Sequence, residues 1–179
     1  DALAALDRRA HEKGVADRVT ASQGDLAGVL DLVGPDRADV VLCHGVLEVV
    51  DDPGAALHAL AGVLRPGGTL SLLVAQRHAA VIARAMAGHF GQARSLLDGA
   101  DDGRAGHRFT HDELTGLVAA AGLQTTAVHA IRVFSDLVPG SLLDLEPGAT
   151  QALVELEQAV AQRAEYLPLA TQLHLLARG

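Results

Sequence analysis

Aromatic side chains are nearly missing: 179 residues hold no tryptophan, one tyrosine and three phenylalanines. A surface that reads single-stranded nucleic acid by stacking its bases needs several, so that mode finds no support. The single cysteine, Cys43, excludes an internal disulfide. It lies in an apolar run and reads as a small buried hydrophobe. No apolar run approaches the roughly 20 residues that a membrane-spanning helix needs. Lysine occurs once, at Lys13, and the net charge is −8 with histidine neutral. That balance argues against broad binding to phosphate backbones, although one local basic patch remains compatible with it. The opening stretch, residues 1–13, is charged and helical, unlike a signal or transit peptide. A soluble cytoplasmic protein is expected.

About half of the residues are apolar, enough for one domain with a sizeable core. Residues 2–13 have helical spacing, with Asp1 as N-cap and Gly14 as C-cap. Residues 19–22 are a short strand candidate. The run A-D-V-V-L-C-H over 38–44 does not alternate, as in a strand buried on both faces of a parallel sheet. Asp51-Asp52-Pro53 starts a helix with the apolar stripe Leu57, Leu60, Val63 and Leu64. Arg65-Pro66-Gly67-Gly68 stops it, and 69–75 is the next strand, completing a βαβ unit. Residues 77–98 are helical. Residues 98–106 are a polar loop, and Thr110 with Glu113 has capping-box form. A strand over 123–134, a loop over 139–148, a helix over 149–163 and a strand over 173–177 follow.

Parallel sheets bind ligands beyond the carboxyl ends of their strands. Asp25 and Leu26 follow the first strand candidate. The Asp25 carboxylate can accept from an exocyclic amine such as that of adenine, with the next N–H donating to the ring; equally, it can cap the turn that follows. His44 and Gly45 follow the buried strand. Gly45 permits close approach to the backbone, and His44 is either a polar contact or a hydrogen-bonded core residue. Arg65-Pro66-Gly67-Gly68 is structural. Residues 77–111 carry five arginines, at 77, 84, 94, 104 and 108, a locally positive stretch suited to an RNA or other anionic substrate, or else a solvated helix face. His107 and His111 are split by the Thr110 cap and do not form a metal pair. There is no P-loop and no G-x-S-x-G.

These pieces together resemble a known family. Gly24-Asp25, the run D-V-V-L-C-H-G-V-L-E-V-V-D-D-P, then L-R-P-G-G-T-L-S-L and R-F-T-H-D-E-L-T-G-L-V-A-A-A-G-L are similar to the class I S-adenosylmethionine-dependent methyltransferases. Residues 87–90, A-I-R-V-F-S-D at 130–136 and Y-L-P-L-A-T-Q-L-H-L at 166–175 resemble the bacterial enzymes that methylate the carboxymethoxy group of wobble uridine in tRNA. The resemblance implies an α/β Rossmann-like sheet, mostly parallel, with its last strand antiparallel at one edge. It implies S-adenosylmethionine as methyl donor, with Asp25 and Leu26 at the adenine and His44 and Gly45 at the methionine end. Arg132, Tyr166 and Arg77 then belong on the substrate side, where a guanidinium suits a carboxylate. Arg132 can alternatively pair with Asp136, and Tyr166 can simply pack.

The family's first strand, its Gly-rich loop and the acid after its second strand have no counterpart in these residues. The expectation is therefore a single methyltransferase domain over 1–179, N-terminally incomplete, with a helical insertion over 77–109. By itself it is expected to be marginal or homo-oligomeric. The acceptor is expected to be tRNA or a small molecule, and no membrane is involved. An already ionised carboxylate nucleophile needs no catalytic acid or base, so none is assigned. A small-molecule methyltransferase and a non-catalytic methyltransferase-like domain are the competing readings. The absence of a dinucleotide fingerprint speaks against a nicotinamide-dependent oxidoreductase.

Overall fold

A computed structural model describes residues 2–99, 106–144 and 146–179. The β-branched run forms β1 (Ala38–His44). A 3₁₀ turn then leads to α1 of the βαβ unit (Pro53–Val63). Its start is built as expected: Asp52 is the N-cap and its carboxylate accepts from the Ala55 N–H at 2.9 Å, with Pro53 in the first turn. The stripe of Leu57, Leu60, Val63 and Leu64 is buried. Strand β2 spans Leu64–Ala75 and so begins earlier than expected. The ladder explains this. Ala38 pairs with Leu64 but Val40 with Thr69, so Arg65-Pro66-Gly67-Gly68 is accommodated as an irregularity within the strand. Gly68 is obligatory there, since a Cβ would lie 2.9 Å from the Arg65 carbonyl oxygen and 3.1 Å from that of Ala38.

The sheet is completed by β3 (Gln124–Ile131) and β4 (Gln172–Arg178), in the order β1-β2-β4-β3. β1 and β2 pair in parallel, whereas β4 is antiparallel to both of its neighbours. Three strands thus share one direction and one opposes them. The α/β class holds, but the antiparallel strand is inserted between β2 and β3 instead of lying at an edge. The burial of β4 fits its interior place: Leu173, Leu175 and Ala177 are fully buried. Two other expectations change. Residues 19–22 form no strand, and among the described residues no strand pairs with the outer edge of β1. The loop over 139–148 contains a one-turn helix at Gly140–Leu143. The cap at Asp1 and most of the loop over 98–106 lie outside the described residues.

One face of the sheet makes the main core. Cys43, Leu70, Leu72, Val74, Leu173 and Leu175 pack there with Leu57 and Leu60 of α1 and with Leu114 and Val118. The last two lie on α2 (His111–Ala120), whose capping box is complete: Thr110 Oγ1 accepts from Glu113 N, and Glu113 accepts from Thr110 N. Each fully buried leucine contributes about 2 kcal/mol. A smaller cluster of Ala130, Val133, Val160 and Ala170 lies beyond the end of β3, under α3 (Ala149–Val160). At the end of β2, Gln76 opens α4 (Arg77–Met86), which is followed by α5 (Phe90–Leu97). These two helices occupy the expected helical stretch.

Candidate active site

β1, β2 and β3 all end at the same edge of the sheet, and β4 begins there. Above that edge is a cleft of about 410 Å³. Its wall comes from five places in the sequence: the end of β2, helix α4, Arg108 ahead of α2, the turn after β3, and Leu169 and Thr171 before β4. Most of the lining is apolar, and the polar exceptions are Gln76, Arg84, Arg108, Asp136 and Thr171.

This wall is held firmly. Gln76 is almost fully buried; its Oε1 caps α4 by accepting from Ala79 N at 3.1 Å, and its Nε2 donates to the Leu167 carbonyl at 3.1 Å. Residues 107–109 lie beside β2. His107 N donates to the Glu48 carbonyl at 2.7 Å, and Phe109 N donates to the Ala75 carbonyl at 3.0 Å. Gly106 has φ +70°, and a Cβ there would lie 2.6 Å from the Glu48 carbonyl oxygen, so glycine permits this approach. Glu48 is itself a residue that the sequence did not single out. Its Oε1 accepts from Ala75 N at 2.7 Å, while Oε2 is buried without a partner. Only the turn after β1, which carries it to the end of β2, could have signalled it.

The turn after β3 is organised by another unforeseen carboxylate. Glu157 on α3 accepts from the N–H groups of Val133, Phe134 and Ser135 at 2.8–2.9 Å. Burial tends to raise its pKa, but these three donors outweigh that and hold the carboxyl below its usual range. Arg132, just before this turn, has φ +62°. Its carbonyl accepts from both Thr171 N and Thr171 Oγ1.

The three residues expected on the substrate side stand one layer behind the cleft, and each braces a residue that lines it. Arg132 forms an ion pair with Asp136, which also accepts from Thr171 Oγ1 at 2.7 Å. Arg77 donates to Glu113 at 2.8 Å and to the Arg108 carbonyl at 3.1 Å. Tyr166 packs edge-on against Phe134 with ring centroids 6.0 Å apart.

On the donor side, the Asp25 carboxylate is exposed and accepts from Gly28 N at 2.8 Å. Leu26 is half-buried against the main core. Gly45 has φ +66°, its N–H donates to the Leu73 carbonyl, and a Cβ there would meet no atom within 4 Å. His44 is exposed, and its Nε2 lies 2.9 Å from Ser71 Oγ.

That contact is the end of a file crossing all four strands on the face opposite the main core. Ser71 Oγ lies 2.9 Å from His174 Nε2, His174 Nδ1 is 3.3 Å from His129 Nδ1, and His129 Nε2 is 3.1 Å from Gln162 Nε2. An amide nitrogen can only donate, so the direction is fixed as far as Ser71. His129 accepts at Nε2 and donates from Nδ1; His174 accepts at Nδ1 and donates from Nε2 to the Ser71 hydroxyl, which His44 also contacts. Because its Nδ1 accepts, His174 is neutral in this arrangement. Burial, then the neighbouring His129 and His44, lower the pKa of His174. Its unfolded form takes up a proton near pH 6.5, and its folded form only at lower pH. Folding stability is therefore complete above about pH 6.5 and falls as the pH drops below it. Melting temperatures measured from pH 8 to pH 5 are expected to decline over that window, and His174→Asn to flatten the decline. An unchanged slope in that variant would contradict the neutral His174.

Among the described residues no cluster of histidine, cysteine, aspartate and glutamate has the form of a metal site. No described helix is long and apolar enough to cross a membrane.

With the geometry in place, comparison with known proteins is informative. The family model for a methyltransferase domain matches residues 2–128. A curated relative, the tRNA 5-carboxymethoxyuridine methyltransferase of Escherichia coli K12, is 29% identical over 174 residues, covering 94% of this chain and 64% of its own length. The chain thus spans less than two thirds of that relative. Among solved structures, an S-adenosylmethionine-dependent methyltransferase from Thermotoga maritima aligns with a TM-score of 0.55 and 16% identity, covering 96% of this chain and 69% of its own. The [4+2]-cyclase SpnF aligns with a TM-score of 0.57 and 20% identity, covering 96% and 60%. At these identities the structures establish the fold, and the cyclase is a reminder that the fold alone does not fix the chemistry. The α/β architecture is the Rossmann-like one of the S-adenosylmethionine-dependent methyltransferases, and by its match over most of its length the chain belongs to the methyltransferase domain family.

Proposed function

We propose that this chain is an S-adenosylmethionine-dependent methyltransferase domain working in the cytoplasm, and that its acceptor is a carboxylate on a modified tRNA nucleoside. The observation that carries the methyl-transfer reading is the end of β1. Gly45 holds a left-handed backbone with open space above it, beside an exposed His44. Those residues fit the methionine end of the donor, and Asp25 with Leu26 fits the adenine. When bound, the donor supplies an electrophilic methyl group. The protein's part is to bind, orient and exclude water.

The acceptor fits in the neighbouring cleft. Arg132, Arg77 and Tyr166 act there as positioning residues, through Asp136, Arg108 and Phe134. A carboxylate is ionised near neutral pH, so a site without a general base suffices. The tRNA acceptor rests on the E. coli relative and on residues 77–111.

Incubating the full-length protein with methyl-labelled donor and tRNA lacking wobble methyl esters tests this. Label is expected in the tRNA, and mild alkali is expected to release it, because carboxylate esters hydrolyse readily. Alkali-stable label, or label only in small molecules, would overturn the tRNA carboxylate reading.

A further inference from the structure

We infer that the cleft contains an oxyanion site formed by Arg84 and Arg108, which selects the acceptor. The inference rests on the cleft being the acceptor site. The sequence pointed to Arg132 and Arg77 as cations for a substrate anion. Both are already committed, Arg132 to Asp136 and Arg77 to Glu113. Arg84 and Arg108 differ from them. Both are half-buried, both line the cleft, and among the described residues neither guanidinium meets a carboxylate or any other hydrogen-bond partner.

Two cations on the wall of one mainly apolar cleft are each partly stripped of water. Such an arrangement is unfavourable unless something negative enters. The other charged residue of the lining, Asp136, is balanced by Arg132 and accepts from Thr171, so it does not serve as that counter-charge.

Both arginines are also mounted rigidly. Arg84 sits on α4, whose start is capped by the buried Gln76. Arg108 lies in the stretch tied to β2 through Phe109 and to Glu48 through His107, and Arg77 holds its carbonyl. Uncommitted guanidiniums on a well-held backbone suit an oxyanion, because each can offer two parallel N–H bonds. The apolar remainder of the wall suits a compact ring or chain carrying that group. The oxyanion is a carboxylate on the acceptor or a phosphate next to it.

Phenoxyacetate, which has a carboxymethoxy group on an apolar ring, is a suitable probe. Phenoxyacetamide is its neutral counterpart. Calorimetric titration of the full-length protein is expected to show the acid binding at least tenfold more tightly than the amide. Arg84→Gln combined with Arg108→Gln is expected to abolish that advantage. Arg84→Lys with Arg108→Lys keeps the charge and loses the paired geometry, so it is expected to retain part of it. Displacement of phenoxyacetate by inorganic phosphate at similar concentrations would support the site and assign it to phosphate; failure to displace would support it and assign it to carboxylate. Equal binding of acid and amide, or an advantage that survives in the folded glutamine variant, would overturn the site. None of these readings needs donor or turnover, so failure of the methyl-transfer proposal would appear separately, as absence of donor binding with the acid–amide difference intact.

Discussion

Replacing Glu157 with leucine is expected to lower the unfolding free energy by about 2–3 kcal/mol, a large share of what holds a small domain together. One carboxylate satisfies three successive backbone N–H groups in the turn after β3. Removing it orphans all three. Water can reach the half-buried Phe134 and Ser135, which limits their cost, but Val133 is 1% exposed and its N–H cannot be rehydrated in place. The same turn carries Val133, Phe134 and Asp136 into the cleft wall, and it follows the positive-φ backbone at Arg132. Loss of stability should therefore be accompanied by a poorer acceptor site. Glu157→Gln leaves one good acceptor oxygen and is expected to cost about half as much. The acid limb supplies a second reading. The folded carboxyl titrates below its usual range, so its contribution is present at neutral pH and is lost as the pH falls through and below about 4.5. Chemical denaturation at pH 7 and at pH 3.5 should show the gap between wild type and Glu157→Leu narrowing in acid. A gap below 0.5 kcal/mol at pH 7 would contradict the assigned role.

Gly45→Val is expected to reduce S-adenosylmethionine affinity at least hundredfold, or about 2.7 kcal/mol. Among the described residues, chain neighbours apart, no atom lies within 4 Å of a Cβ at this position, so a Cβ here meets open space. The substitution has two consequences. A β-branched residue at φ +66° costs about 1–2 kcal/mol of stability, and the isopropyl group fills the space proposed for the donor. Gly122→Val separates these consequences. Gly122 follows α2 at φ +81°, and there too a Cβ meets no atom within 4 Å. The control should lose similar stability and keep donor affinity. Equal affinity in Gly45→Val and wild type would remove the end of β1 from the donor site.

Local signals were readable from the sequence. The strand at 38–44, the Asp52 cap, the capping box of Thr110 and Glu113 and the stripe on α1 depend on neighbours a few residues apart, and all formed. The burial expected on both faces of that strand did not follow, since Cys43 is buried but Val40 and Leu42 are 59% and 68% exposed on an edge strand whose outer face no described element covers. What depends on long-range pairing was not readable. The insertion of β4 between β2 and β3 is a property of the ladder, and so is the histidine file, which forms only because the pairing sets His44, Ser71, His174 and His129 on one face. Residues 19–22 had the composition of a strand, but a strand needs a partner, and none is present among the described residues. The cleft illustrates the same limit for function. The Arg132–Asp136 pair, four residues apart, was among the sequence alternatives and formed. Arg77 looked as available as Arg84 and Arg108, and its pairing with Glu113, 36 residues away, separates them only in three dimensions. Glu48 and Glu157 went unnoticed because their value lies in backbone groups 22 to 27 residues away.

The end of β1 and the segment around Asp25 are proposed as a donor site for S-adenosylmethionine. Calorimetric titration of the full-length protein with S-adenosylmethionine tests this most directly. Saturable binding of one donor per chain, weakened by Asp25→Ala and by Gly45→Val but not by Gly122→Val, is the predicted result. No measurable binding by the folded full-length protein would contradict it, and would mean that this methyltransferase-family fold serves another chemistry.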